Sequence, residues 1–463
     1  MAAPYSFDKD CASGRKIVSI QAFLRGSLIA FGFFLILFQS SCLVTSDSFS
    51  RLAPGVWRGV LTFDPLKIPV RDKDSVFVMH DQFREGELPF NFEVKYIDSE
   101  RFYIEIINGE QRIRCDSIRW GRDRTTARDT VNIYFPEYQT YLHADVRGGV
   151  MQGEWVVTTK DNYRIPFHAK AGLGHRFTPL REAPKADLSG EWATIFGVDS
   201  DAPSKALGEF RQEGNRLLAT FRSETGDYGH LEGTVQGRKF WLSGFDGAHA
   251  FLFNGVIGTD SLRGEFRSGT HYRTLWAAWR DPDFRLGNAD SLARLTDQGR
   301  GIRFALNTPE GRELRYPSAE FDGKIKIFTI SGTWCHNCRD EQMFLREFLE
   351  ARPDLARDTR VVIFSFERHK TPEAANAQLL QYKRTLGLPF DIVYAGQANR
   401  DEALRLFPSL DRMLAFPTMI VLDRKGVARK VHTGFDGPAT SKFADFKKDF
   451  TALMEQLNAE NAR

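Results

Sequence analysis

Between Leu52 and about Asp281 apolar and polar positions alternate with a period of two. Phe92, Val94 and Tyr96 are separated by Glu93 and Lys95, and Phe102, Ile104 and Ile106 continue the same phase. A strand places successive side chains on opposite faces, so this pattern predicts half-buried strands. Asn108-Gly109 and Asp246-Gly247 supply the residues that tight hairpin turns with positive φ require, and an antiparallel meander follows. Gly55-Val56-Trp57 is echoed by Gly190-Glu191-Trp192, and Gly153-Glu154-Trp155 by Gly264-Glu265-Phe266. Beyond a polar stretch from Asp281 to Gln298 the pattern changes to strands alternating with helices. The predicted order is a buried strand Ile325–Ile330, a helix opened by Cys335, a strand Thr359–Phe366, a helix Pro372–Leu386, and a strand Phe390–Tyr394. A helix Arg400–Leu406, a hairpin beginning at Thr418–Leu422 and a long helix starting near Lys442 complete it.

The chain therefore reads as multidomain, with two antiparallel all-β modules over 43–175 and 176–282, a linker over 283–299 and a C-terminal α/β domain over 300–463. A single large sandwich is the alternative for the β region. The length of 463 residues agrees, since single cores stop growing at roughly 250 to 300 residues. Aromatics at alternating strand positions are expected to be core, with a ligand pocket as the rarer arrangement.

Residues 1–42 have the layout of a secretory signal. Lys9, Arg15, Lys16 and Arg25 precede the apolar run Ser27–Phe38, and Ser40, Ser41 and Cys42 follow. The run is shorter than the ~20 residues that span a bilayer. Phe38-Gln39-Ser40-Ser41-Cys42 resembles the lipobox of bacterial lipoproteins, although Gln39 stands where an apolar residue is usual. That resemblance implies lipidation of Cys42, a membrane contact through the lipid anchor, and a periplasm-facing place in the cell envelope. Ordinary cleavage near Ser41 is the alternative, and it also exports the chain.

With 63 Lys and Arg against 60 Asp and Glu, the net charge is +3. No stretch concentrates basic residues with stacking aromatics, so nucleic acid is not expected as a partner. Of the five cysteines, Cys11 and Cys42 flank the N-terminal run, and Cys115 shares the apolar phase of Ile113 and reads as a buried thiol. Cys335 and Cys338 form the one close pair.

A thiol at a helix N-terminus meets unsatisfied amide donors and partial positive charge, which favour the nucleophilic thiolate. Cys335 occupies that position, and Cys338 lies one turn on, where it can resolve a mixed disulfide formed by Cys335. C-x-x-C is also half of a zinc site, but no second C-x-x-C or H-x-x-x-H completes four ligands, and no metal is expected.

Gly332-Thr333-Trp334-Cys335-His336-Asn337-Cys338-Arg339-Asp340-Glu341, with Phe416-Pro417-Thr418 and Val431-His432-Thr433-Gly434-Phe435, resembles the TlpA-like, redoxin-type branch of thioredoxin-fold disulfide reductases. The resemblance covers about the last third of the chain. It implies a C-terminal thioredoxin-like fold and no cofactor beyond the redox-active Cys335–Cys338 pair. It also implies a cis bond before Pro417 and a substrate-binding loop of Phe416, Pro417 and Thr418 facing Trp334 and the cysteines. Glu341 matches an acidic residue of the branch. It lies on the helical face of Cys338, where it either accepts the resolving thiol's proton or is simply solvated. His336 and Asn337 are redox-tuning positions: an imidazolium at His336 would stabilise a thiolate, whereas an exposed histidine would be solvated. Glu367-Arg368 is expected to cap a helix or form a salt bridge.

The expected function is a protein-disulfide reductase whose partners are exported thiol or disulfide proteins and a membrane electron donor. The alternatives are an oxidase or isomerase using the same residues, a binding protein built on the β modules, and a Cu(I)-handling protein.

Overall fold

The two Gly-x-Trp echoes begin equivalent strands. In the computed structural model, which describes residues 51–64 and 84–460, Gly55 opens the strand Gly55–Thr62 and Gly190 opens Gly190–Phe196. Both glycines have positive φ, 93° and 102°, a conformation that a Cβ disfavours. Two residues on, each tryptophan is buried and donates its indole N–H to the carbonyl four residues back, Trp57 to Ala53 at 2.8 Å and Trp192 to Leu188 at 2.9 Å. The second echo falls on the penultimate strands Val150–Val157 and Ser261–Ser268. A Cβ on Gly153 would lie 1.9 Å from the His143 carbonyl oxygen, and one on Gly264 1.8 Å from that of Asn254, so the adjacent strand requires glycine at both. In each module the last strand pairs antiparallel with the first, Trp57 opposite Ala171 and Ala193 opposite Trp279.

Each module is a nine-stranded antiparallel sheet curled on itself. The first stays open between the strands Gln111–Cys115 and Ile118–Arg122. The second closes, because Ser204–Glu213 pairs with both Gly190–Phe196 and Arg216–Ser223. Its interior is filled: Phe253 stacks between Phe221 and Phe266 at 4.7 and 4.4 Å, with Trp192, Phe196, Phe240 and Trp276 buried around them. These alternating aromatics are core.

The two hairpin turns predicted from sequence meet each other. Phe245, Ala250 and Leu252 of the second module belong to the core of the first, with the Phe245 ring 4.6 Å from Phe90. The Gly247 carbonyl accepts the Trp155 indole N–H at 3.1 Å, and Asn108 donates its side-chain amide to the Phe245 carbonyl at 2.7 Å. Arg176, buried at the same junction, donates to Ser243 Oγ at 2.8 Å, the Ile107 carbonyl at 2.9 Å and Asn108 Oδ1 at 3.0 Å. The expected signal segment and Cys42 lie outside the described residues.

The C-terminal domain carries a five-stranded sheet in the order Asp391–Gln397, Thr359–Glu367, Ile325–Ser331, Thr418–Leu422, Ala428–Thr433. The first three are parallel, Thr418–Leu422 runs antiparallel to them, and Ala428–Thr433 runs antiparallel to Thr418–Leu422. Helices His336–Glu350, Pro372–Leu386, Arg400–Leu406 and Phe443–Ala459 connect and cover it, with an apolar core on each face. This is the thioredoxin-like order of elements. A hairpin of Phe304–Asn307 and Glu313–Tyr316 precedes it, short enough that periodicity gave no sign of it. The polar stretch 283–299 does not hang free. Thr296 N–H bonds the Ser409 carbonyl at 2.8 Å, Arg294 N–H bonds Asp411 at 2.9 Å, and Asp290 meets His432 at 2.6 Å.

Candidate active site

The strand Ile325–Ser331 delivers the chain to a loop that ends at Cys335, the N-cap of helix His336–Glu350. Its sulfur accepts the Cys338 backbone N–H at 3.1 Å, satisfying one of the free donors of the first turn. Cys335 and Cys338 are joined as a disulfide. Cys335 keeps 7% exposure and Cys338 none, so the outer sulfur is the one that a substrate can approach.

Glu367, at the end of the neighbouring strand, holds the loop in place. Its buried carboxyl accepts the backbone N–H and hydroxyl of Thr333 at 2.9 and 2.7 Å and the Ser365 hydroxyl at 2.6 Å. Among the described residues its side chain caps no helix, and the His369 ring nitrogen lies 3.6 Å from it. Trp334 donates its indole N–H to the Phe366 carbonyl at 2.9 Å, packs edge-on against Phe416 at 5.4 Å, and carries the Arg368 guanidinium 4.1 Å above its ring. The Phe416–Pro417 bond is cis, and the Phe416 carbonyl oxygen lies 3.4 Å from Cys335 Sγ.

Glu341 is fully buried one turn beyond Cys338. Neither carboxyl oxygen has a hydrogen-bond partner among the described residues, and burial alone pushes its pKa well above the carboxylate range. It is a buried acid one turn below Cys338, not a solvated helix glutamate. Thr329, in the central strand, is also buried.

Four of the expected site residues are placed as follows. His336 carries no imidazolium: its Nε2 is shut off from solvent, and burial followed by the neighbouring His249 lowers its pKa to about 4. The His249 ring lies 5.0 Å away. Asn337 does not face the cysteines' solvent side but donates to the Asp227 carbonyl of the second β module at 3.2 Å. Pro417 is buried, and its carbonyl accepts the Gly434 N–H at 2.9 Å. Thr418 is buried with its hydroxyl bonded to the Ala415 carbonyl at 2.9 Å, which leaves Trp334 and Phe416 as the reachable members of the expected substrate-binding set.

The β modules, silent in the sequence motif, build the surroundings of Cys335. From the first module Gln139 meets His369 Nε2 at 2.8 Å, and the Glu137 carbonyl accepts from Gln378 at 2.7 Å. From the second, Asp227 accepts the Gly437 N–H at 2.6 Å, while a Cβ on Gly434 would lie 3.0 Å from the Thr225 backbone. Between them a cleft of about 350 Å³ opens onto Cys335, walled by Tyr138, Lys160, Tyr163, His249, Phe251 and His271 opposite Trp334 and Arg368. No local pattern announces these contacts, since the hydrogen-bonded partners lie more than 200 residues apart in sequence.

Cys115 is a buried free thiol whose pKa burial raises well above the usual value. Among the described residues no group of three or more His, Cys, Asp or Glu side chains is arranged to hold a metal ion.

No protein-family model and no curated protein matches the chain. Solved structures of thioredoxin-fold thiol-disulfide oxidoreductases resemble about a third of it. A thiol:disulfide interchange protein of the thioredoxin family from Chlorobium tepidum TLS is 21% identical, with 34% of this chain and 94% of that one covered at a TM-score of 0.26. StoA from Bacillus subtilis is 19% identical over 32% of this chain and 96% of its own, TM-score 0.23. A thiol-disulfide oxidoreductase from Bacteroides fragilis NCTC 9343 is 15% identical over 32% and 96%, TM-score 0.24.

Proposed function

We propose that this protein is a thiol-disulfide oxidoreductase that reduces disulfides through Cys335 and Cys338, exported and held at a membrane by a lipid on Cys42. The observation that carries the reading is the asymmetry of the pair: a helix-capping sulfur that opens onto a cleft, backed by a sealed one with a buried acid beneath it. In the reduced protein the Cys335 thiolate attacks a substrate disulfide, a Cys335–substrate bond forms, and the substrate's second sulfur leaves as a thiol. Cys338 then attacks the Cys335 sulfur, its proton passing by way of water to the substrate sulfur that leaves. The Cys335–Cys338 disulfide forms and the second substrate thiol departs, so the substrate gains the two electrons that the protein loses. A dithiol donor at the membrane restores the pair.

The reductive direction is favoured by the neutral His336. Strong oxidants of this fold owe their power to a stabilised reduced form, and without an imidazolium beside Cys335 one source of thiolate stabilisation is missing. Export and anchoring rest on the N-terminal basic and apolar pattern and on Ser40-Ser41-Cys42.

Cys338→Ser tests the reading. The variant is expected to accumulate mixed disulfides on Cys335 that dithiothreitol releases, and an adduct-free variant in an oxidising compartment contradicts it.

A further inference from the structure

The cleft above Cys335 has an electrostatic character that exchange chemistry does not require. Lys160, from the turn after the strand Val150–Val157, is half-buried in its wall, and Arg368 stands at its rim on the Trp334 ring. Among the described residues neither side chain forms an ion pair. The carboxylates nearby are committed elsewhere: Glu367 to Thr333 and Ser365, Asp246 to His249 at 2.9 Å, and Asp161 to Lys370 at 3.5 Å. Lys160 sits over the Tyr163 ring at 4.6 Å. Burial and then the charge of Arg368 make its ammonium less favourable. The two cations outnumber the one carboxylate in the wall, Glu367, and that excess of positive charge favours the entry of an anion. His271, His249 and Phe251 add imidazole and aromatic surface to the wall, and Gln139, Thr140 and Ser268 add neutral polar groups. At about 350 Å³ the space fits a small molecule or one extended segment, not a folded surface.

We propose that the cleft selects disulfides flanked by carboxylate groups, with Lys160 and Arg368 holding the carboxylates while Cys335 meets the sulfur. The proposal rests on the exchange activity put forward above and adds the substrate class. The atoms move as in that exchange. One disulfide is reduced to two thiols, Cys335 and Cys338 are oxidised to their disulfide, and the two cations supply neither electrons nor protons.

The test uses the full chain, reduced with dithiothreitol and freed of it, in single-turnover oxidation by two small disulfides of similar size and opposite charge, dithiodipropionate and cystamine. Each rate is divided by that of free dithiothreitol with the same disulfide, which removes their intrinsic reactivity. The normalised dianion rate is expected to exceed the dication rate by about tenfold at low salt, falling as salt rises. Lys160→Gln and Arg368→Gln are each expected to move that ratio toward one, and Lys160→Glu further still. A peptide carrying the same disulfide between glutamates tells a polypeptide source from a small-molecule one: the faster of the two identifies the source, and either upholds the charge rule. Equal normalised rates, or a ratio that neither cation variant moves, overturn the rule while leaving exchange intact. Failure to react with either disulfide overturns the exchange reading and this one with it.

Discussion

Two buried glutamates flank the cysteine loop, and their surroundings are opposite. Glu367, on the strand side, accepts three hydrogen bonds within 2.9 Å and clamps the residues that lead into Cys335. Glu341, on the helix side below Cys338, accepts none among the described residues, and burial raises its pKa well above the carboxylate range. A fully engaged carboxyl positions its neighbours. An unengaged one is costly to the fold, and a cost of that kind marks a group kept for proton transfer. The comparison separates what holds the site from what operates it, although both residues are acidic, buried and within a few residues of the motif or its neighbouring strand.

The contrast can be broken in order of size. Glu367→Ala leaves a buried N–H and two hydroxyls without their acceptor and is expected to lower stability by about 3 kcal/mol, read by urea denaturation. A loss below about 1 kcal/mol would show that the clamp is dispensable. Glu341→Gln keeps the shape and removes the group below Cys338 that can exchange a proton. Resolution of a preformed mixed disulfide on Cys335 should slow by roughly a hundredfold in stopped-flow, with stability unchanged or improved. Unaltered resolution would reduce Glu341 to a packing residue.

The pH dependence of stability sharpens the same point. A carboxyl whose folded pKa is raised binds its proton more tightly when folded. Its contribution is therefore complete below the unfolded value of ~4.3 and is lost as pH rises from there toward the folded pKa. Asp227 and Asp340, raised to about 7 and about 6 by burial, add to the trend. The stability of the oxidised protein relative to Glu341→Gln should fall as pH rises above about 4.3, a difference that isolates this carboxyl from the other titrating groups. A slope of the opposite sign contradicts the assignment. The smallest effect is expected for His336→Asn: because the imidazole is already neutral, the equilibrium with glutathione at pH 7 should move less than about threefold. A tenfold shift would restore the imidazolium.

The sequence carried the thioredoxin-like frame well because each part has a local signature. Pro372 and Leu386 bound their helix as periodicity predicts, and Cys335 stands at the N-cap of His336–Glu350. The Gly-x-Trp echoes also proved physical, each glycine and tryptophan repeating the same turn and the same bond to the carbonyl four residues back. The environment of those residues was not legible. His336 reads as a surface charge between two cysteines, yet residues 246–251, which enclose it, are nearly 90 positions earlier, and no periodicity encodes which module lies against which helix. Thr418 and Pro417 match the motif in sequence while their exposure is decided by packing. Lys160 and Arg368 look like ordinary surface cations until the fold brings them to one cleft.

The central claim is the division of labour between the two sulfurs, and alkylation of the reduced protein tests it most directly. Cys335 and Cys338 lie on one tryptic peptide, Ile327–Arg339, so fragment ions after brief iodoacetamide treatment tell which is labelled. The account predicts a single adduct on Cys335 that forms at least tenfold faster than any on Cys338. Equal labelling, or Cys338 labelled first, would contradict it.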